Sequence, residues 1–551
     1  MKKITSVLLF LAIAVTSSYA QNRVGDINFR FGEKIEDQKG TIVKIVGETE
    51  GRIYALGLKG KKDYYINTFS SEDMSLLSNE RLVLPEIKDK DLEFEEMLLV
   101  GTKLYVIGSF YDRRNKESNL VAIEISAEGK LTGNEHTLFS IQVDKHAERG
   151  AYFFRSSDSE DQLLAMHVSI QNKKDMIQYQ VKLMDENMTV SMDHKEQLPY
   201  EEKKGGQFGI EDYDVSPYGD VFIVINESYR DKKLKKHIEN FELHSFKKDN
   251  DYQKEVLKLD ASDNYIINCK MRVGYDNVVQ MVGFYAETTE KGRTKGKLKG
   301  IYNFNVNSVN NTVANQKFNE FDLETRTKIL GERRANKGKD LNPLYSINNI
   351  ILRTDGGVVV LSEYQTILVG RSSGIGPLAF TPITYRSNEI IITSLDLNGN
   401  LEWSNVVPKE QTVSTTVLSI GFISFVGTGS GVSVGSGFVI PITQMGKGPE
   451  YIGAVPIYEN DKLTVLFNDN EKNIGETDIE KIKRMTSYNK AIPTAFQFDK
   501  NGVMTRIDPK EAAKDQLIMR PNILLRKSNT EMIIFTSRRS EERLSRMTIG
   551  N

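Results

Sequence analysis

Six histidines are the first place to look for catalysis or a metal: His136, His146, His167, His194, His237 and His244. None forms a His-x-His or His-x-x-x-His pair, and the only cysteine is Cys269. A structural metal site takes three or four N, S or O donors set close together, and no local set of that kind is present. Cys269 follows Ile266-Ile267-Asn268 and reads as a buried, inert thiol in an apolar strand. The sequence therefore assigns no metal ligand, no cofactor and no catalytic residue.

Glycine and carboxylate patterns give the same answer. Gly427-Thr428-Gly429-Ser430-Gly431 continues as Val432-Ser433-Val434-Gly435, without the Gly-Lys-Ser/Thr that completes a phosphate-binding loop. Gly429-Ser430-Gly431 also lacks the spacing of a nucleophile elbow. Asp396-x-Asn398-Gly399-Asn400 and Asp499-x-Asn501-Gly502 cluster oxygen ligands but miss the glutamate of a calcium loop, so they read as hairpin turns. Two basic runs, Arg230 to Lys236 and Lys291 to Lys299, lie between apolar strands and read as solvated hairpin tips. Acidic loops (Glu93, Glu95, Glu96; Glu201, Glu202) interleave with them, so charge is not segregated.

The elements that would have to position any site are strands. Tyr345 to Gln411 holds an apolar run, a turn at Asp355-Gly356-Gly357 and a returning run at Val358 to Leu361. It continues through Ile390-Ile391-Ile392, turns at Asp396 to Asn400 and leaves at Leu401-Glu402-Trp403. Asp, Asn and Gly tolerate the positive φ of tight hairpins, so this is a four-stranded antiparallel meander, the blade of a propeller. Starting strands recur near 42, 97, 152, 208 and 265, in steps of 55, 55, 56 and 57 residues. That period is closer to kelch repeats than to the WD period of about 40–45.

The second half stretches the pattern by three insertions: 322–340, expected as a solvated loop or short helix; 366–387, a loop between two strands; and 412–448, rich in Gly, Ser, Val and Ile. The uncharged stretch Leu418 to Val439 approaches the length of a membrane helix, but its glycines favour an apolar lid or contact hairpin. The final unit, Ile523 to Ile549, offers three strands where the others offer four. Ile27-Asn28-Phe29-Arg30-Phe31 is the expected fourth, fastening the last unit to the first. The expected fold is all-β, a propeller of seven to eight blades with eight favoured, and one domain over 21–551.

Residues Met1 to Ala20 read as a secretory signal: Lys2-Lys3, an apolar centre from Val7 to Val15, and Ser18-Tyr19-Ala20 before Gln21. Without it 71 basic residues face 75 acidic ones, a net charge of about −4 that gives no electrostatic reason to bind nucleic acid. One thiol cannot close an internal disulfide, so packing and strand pairing must hold the fold. No separate sorting or anchoring domain is expected after the last strand.

At Asn388 to Ile392, through Asp396 to Trp403 and on to Val407-Pro408-Lys409-Glu410-Gln411, the chain resembles a group of secreted, propeller-like bacterial proteins. Phe467 to Asn473 is similar to the same group, and the likeness spans roughly Ile347 to Ile549. It implies fold and export, and it carries over no functional residue. The expected function is that of an exported, non-enzymatic propeller binding a protein or glycan partner of the cell envelope, with the insertions 366–387 and 412–448 as contact surface. The alternatives are a polysaccharide-acting hydrolase or lyase with paired carboxylates in the central funnel, and a structural subunit of an envelope assembly. The expected location is periplasmic or extracellular, with no membrane span in the mature chain.

Overall fold

The computed structural model describes residues 21–549 apart from Asp37, 172–175, 200–206, Lys232, 291–296, Asp340, 372–380, 418–431, 436–439, 510–516 and Ser540. The signal segment, Glu201-Glu202 and most of the glycine-rich stretch lie outside the described residues. The described chain is all-β, with eight sheets of four or five strands and one two-stranded ribbon (Glu86–Ile87 with Lys90–Asp91).

Each sheet is a meander built by short-range signals. In the sixth, Tyr345–Leu352, Val358–Val369, Thr381–Leu395 and Leu401–Val407 pair antiparallel in chain order. Its last turn is made by Asp396, whose Oδ1 accepts from the amides of Asn398 (2.9 Å) and Asn400 (2.8 Å), with Gly399 at φ 77°. Asp499 does the same for Asn501 and Val503 in the seventh sheet, with Gly502 at φ 77°. A side chain without that local acceptor would leave the turn amides to water.

The sheets stack through their flat faces in chain order. Val100, Tyr105 and Leu120 of the second sheet pack on Leu163, Ala165 and Met184 of the third. Similar apolar layers join the third to the fourth, and so on to the seventh and eighth. A further layer sets Ile42, Ile45, Ile53 and Phe69 of the first sheet against Ile523, Ile533, Phe535 and Leu544 of the eighth. The opening strand of the first sheet, Thr41–Thr49, touches those of both the second and the eighth. The eighth sheet joins both ends of the chain: Ile27–Phe31 pairs with Glu541–Ile549, placing Ile27 opposite Ile549 and Phe29 opposite Met547.

Of the insertions, residues 322–339 take the short-helix alternative of the expectation, packed on the sheets rather than wholly solvated. They form α1 (Leu323–Leu330) and α2 (Glu332–Asn336), with Asp322 Oδ1 capping α1 through the Thr325 amide at 2.8 Å. Ile329, Leu330 and Ala335 are buried against Phe284, Phe321 and Tyr345 of the fifth and sixth sheets. Much of 366–387 is strand: the hairpin arms run on to Val369 and restart at Thr381, and Gln411–Val417 adds a third strand along Thr381 to Ser387. Ile383 and Tyr385 of this extension, with Ile440, Met445 and Ile452 after it, bury themselves against Val43, Leu56 and Met97 of the first and second sheets. The described parts of both insertions thus bury one side, while Leu368 and Val369 at the end of the hairpin arm are exposed. The short strand Val432–Val434 pairs parallel with Phe208 to Ile210, at the start of the fourth sheet's opening strand. Cys269 is buried as expected, but in a break between Tyr265–Ile266 and Lys270–Val273 rather than in a continuous strand.

Candidate functional site

The opening strands of six sheets end around one cavity of about 1080 Å³. Arg155 and Asp158 come from the third sheet and its turn, Asp214 from the fourth, Arg272 from the fifth, Arg353 from the sixth and Arg526 from the eighth. Tyr458 of the seventh completes the wall. Asp214 sits at the far end of the strand whose start is covered by Val432–Val434, so the covering segment and the cavity lie at opposite ends of that strand.

Charge in this wall is dense and mostly paired. Alternation along the strand puts Asp212 and Asp214 on one side, toward the same guanidinium. Arg155 reaches Asp212 at 2.9 Å and Asp214 at 3.4 Å. Asp212, buried to 1%, also accepts from the Met271 amide at 2.9 Å. Burial works against the charge on Arg155, and the two carboxylates outweigh it, so its pKa is raised. Burial lifts the Asp214 carboxyl above the usual range despite Arg155 and Arg272. Arg272 holds Asp158 at 3.0 Å, and Arg353 binds both Asp355 and Glu402.

Arg526 is the exception. Its Nη2 donates to the Pro456 carbonyl at 2.7 Å, and among the described residues no carboxylate is within ion-pair reach. Burial, with the positive Arg272 nearby, lowers its pKa to about 10. Tyr275 stands at the rim, 73% exposed, with the Tyr218 ring edge-on at 6.5 Å and the Tyr218 hydroxyl donating to its carbonyl at 2.7 Å.

The histidines go elsewhere. His194, His237 and His244 each sit beside a glutamate two residues away, Glu196, Glu239 and Glu242. His136 lies against Tyr105, and His146 against Tyr111. Among the described residues no group of three or more His, Cys, Asp or Glu is arranged to hold a metal ion. Burial pushes the Cys269 thiol well up, which makes it a poor nucleophile. The Asp396 and Asp499 loops are turns, and the Arg230 to Lys236 run is a hairpin tip with Lys236 paired to Asp263 at 2.7 Å. None of these meets at the cavity.

His167 carries a pH prediction. It is fully buried, one ring nitrogen contacts the Arg149 carbonyl at 2.8 Å, and Nδ1 has no partner among the described residues. Burial lowers its pKa to about 4, so the folded protein takes the proton less readily than the unfolded chain. Its contribution is complete above the unfolded value of about 6.5 and is lost as pH falls toward 4, about 2 kcal/mol between pH 7 and 4.5. The drop in urea midpoint over that interval is expected to be smaller in H167Q than in the wild type, and equal drops would remove His167 as the cause.

No motif marks the cavity residues, but repeat alignment does. Seven of the eight opening strands carry a charged residue at or within two positions of their last residue, and five of these line the cavity: Arg155, Asp214, Arg272, Arg353 and Arg526, but not Glu48 or Glu459.

No protein-family model and no curated protein matches the chain. Solved structures similar to it include β-propellers. The Dos1 propeller is 11% identical over 59% of this chain and 66% of its own, with a TM-score of 0.32. The β-propeller domain of the Trilobed protease from Pyrococcus furiosus is 9% identical over 67% and 96%, TM-score 0.30. An endo-arabinase from Bacteroides thetaiotaomicron VPI-5482 is 10% identical over 48% and 94%, TM-score 0.22. At such TM-scores the likenesses carry no argument, and the fold rests on the strand pairings.

Proposed function

We propose that the chain is an exported, eight-bladed β-propeller, closed by its N-terminal strand, that binds a protein or glycan partner of the cell envelope in the axial cavity. The eight sheets packed in sequence, the layer between eighth and first, and the pairing of Ile27–Phe31 support the ring. The observation that carries the binding reading is the convergence of six opening strands on one roomy, charged cavity, since ligand sites favour places where several elements meet. The carboxylates Asp158, Asp214 and Asp355 are each engaged by arginine, an arrangement suited to holding shape. The contact region moves from the insertions to the opposite mouth.

The test compares tagged wild type with Asn349→Trp, which fills part of the cavity wall. From native envelope fractions the wild type is expected to retain one dominant protein or glycan that N349W loses. Retention by both, or by neither, overturns the reading. Export is checked by sequencing the mature N-terminus, expected at Gln21.

A further inference from the structure

Arg526 is a buried-side cation waiting for an anion. A guanidinium presents five donors in a planar fork, and here one goes to the Pro456 carbonyl. Three of the acids lining the cavity are committed: Asp158 to Arg272, Asp355 to Arg353, Asp214 to Arg155; the fourth, Asp276, stands exposed beside Tyr275, where its Oδ1 accepts from the Val278 amide at 3.2 Å. Placing Arg272 close by raises the cost of leaving Arg526 without a counter-charge. An anionic group entering the cavity would relieve that repulsion and meet the fork edge-on, a geometry that fits carboxylate.

The rest of the wall narrows the class. Asn349 and Asn529 line the cavity with amides, which donate and accept and so match hydroxyl groups, while Asn348 beside them donates to Glu363 at 2.7 Å. Tyr275 keeps a large exposed ring at the rim, braced by Tyr218. An aromatic face at the mouth, amides along the wall and an uncommitted arginine inside form a set suited to a sugar ring that carries a carboxylate. An acidic peptide would use the arginine but has less need of the braced ring.

Resting on the cavity-binding reading, we infer that the ligand is an acidic glycan, its uronate carboxylate on Arg526 and a neighbouring ring stacked on Tyr275. A hexamer of galacturonic acid is the probe, titrated calorimetrically into the full mature chain at 50 and 300 mM NaCl. The controls are neutral maltohexaose, hexaglutamate and inorganic phosphate. The uronate is expected to bind, more weakly at high salt, while the neutral hexaose does not bind. R526Q should weaken binding at least about tenfold, the scale of a charge-assisted pair, and Y275A should weaken it severalfold. R526K keeps the charge without the fork and should fall between, and thermal melting of each variant separates misfolding from lost contact.

If hexaglutamate or phosphate binds as tightly as the uronate, or R526Q is silent, the glycan assignment is overturned. If no probe binds while N349W still loses its envelope partner, this inference falls and cavity binding stands. If N349W keeps that partner, cavity binding falls with it.

Discussion

Replacing Lys409 with Met is expected to cost about 3–5 kcal/mol, the scale for removing one partner of a buried ion pair. The Lys409 and Glu363 side chains are 0% and 2% exposed, with Nζ 2.5 Å from Oε1. Nζ also donates to the Ser387 carbonyl and hydroxyl, both at 2.8 Å, and to Gln411 Oε1 at 3.1 Å. Gln411 in turn donates to the Asn468 carbonyl at 2.7 Å and accepts from the Gly453 amide at 2.8 Å. The pair therefore ties the sixth sheet to the seventh at the root of the long hairpin extension. K409M leaves the Glu363 carboxylate with Asn348, Gln365 and Ser387 as donors and no counter-charge.

The double variant K409M/E363M removes both charges and should lie closer to the wild type than K409M does. Trp403, the only tryptophan, reports on this region: its ring stacks 6.2 Å from Phe498 and its Nε1 donates to the Lys500 carbonyl. Urea unfolding followed by its fluorescence gives the midpoints. A K409M midpoint matching the wild type would mean the pair contributes little, and a double variant worse than K409M would place the contribution in packing.

How far the sequence carries depends on how local each signal is. The Asp396 and Asp499 turns were legible because the acceptor and the amides it serves lie within four residues. The Ile27–Phe31 strand was legible through alternation, Ile27, Phe29 and Phe31 being buried and Arg30 exposed. In the sixth sheet the same alternation exists, with Thr381, Ile383, Tyr385 and Ser387 buried. Pro382 and the intervening polar residues disguised it, and the segment fell where the repeat period predicts no strand. The helices after Asp322 carry few apolar residues, and Ile329 and Leu330 are buried in a cluster with Phe284 of the fifth sheet and Leu298 just before its next strand. The cavity is less legible still, because its charges are scattered over five repeats and meet only when the opening strands are brought side by side.

Removing residues 21–32 is expected to be the more damaging change. Val24, Ile27, Phe29 and Phe31 are each at most 6% exposed and pack with Val455, Met532, Ile534 and Met547 between the seventh and eighth sheets. Losing buried Phe and Ile side chains costs about 2–5 kcal/mol apiece, and their sum rivals the whole stability of a typical fold, about 5–15 kcal/mol. The deletion also uncovers Ser545 to Ile549, an edge open to other chains. The truncated protein should elute as aggregates and bind a hydrophobic dye. A synthetic peptide of Gln21 to Gly32 should return it to a monomer, because the lost strand makes its contacts through backbone pairing and three inward side chains. A peptide with Phe29→Glu should not. Gly32 belongs in the peptide, since its amide donates to the Leu544 carbonyl at 2.9 Å and its carbonyl accepts from Arg543 at 2.8 Å. A truncated chain that stays monomeric with an unchanged urea midpoint would show that the sheets hold together without the strand. Equal rescue by the Phe29→Glu peptide would show that the register between Phe29 and Met547 does not matter.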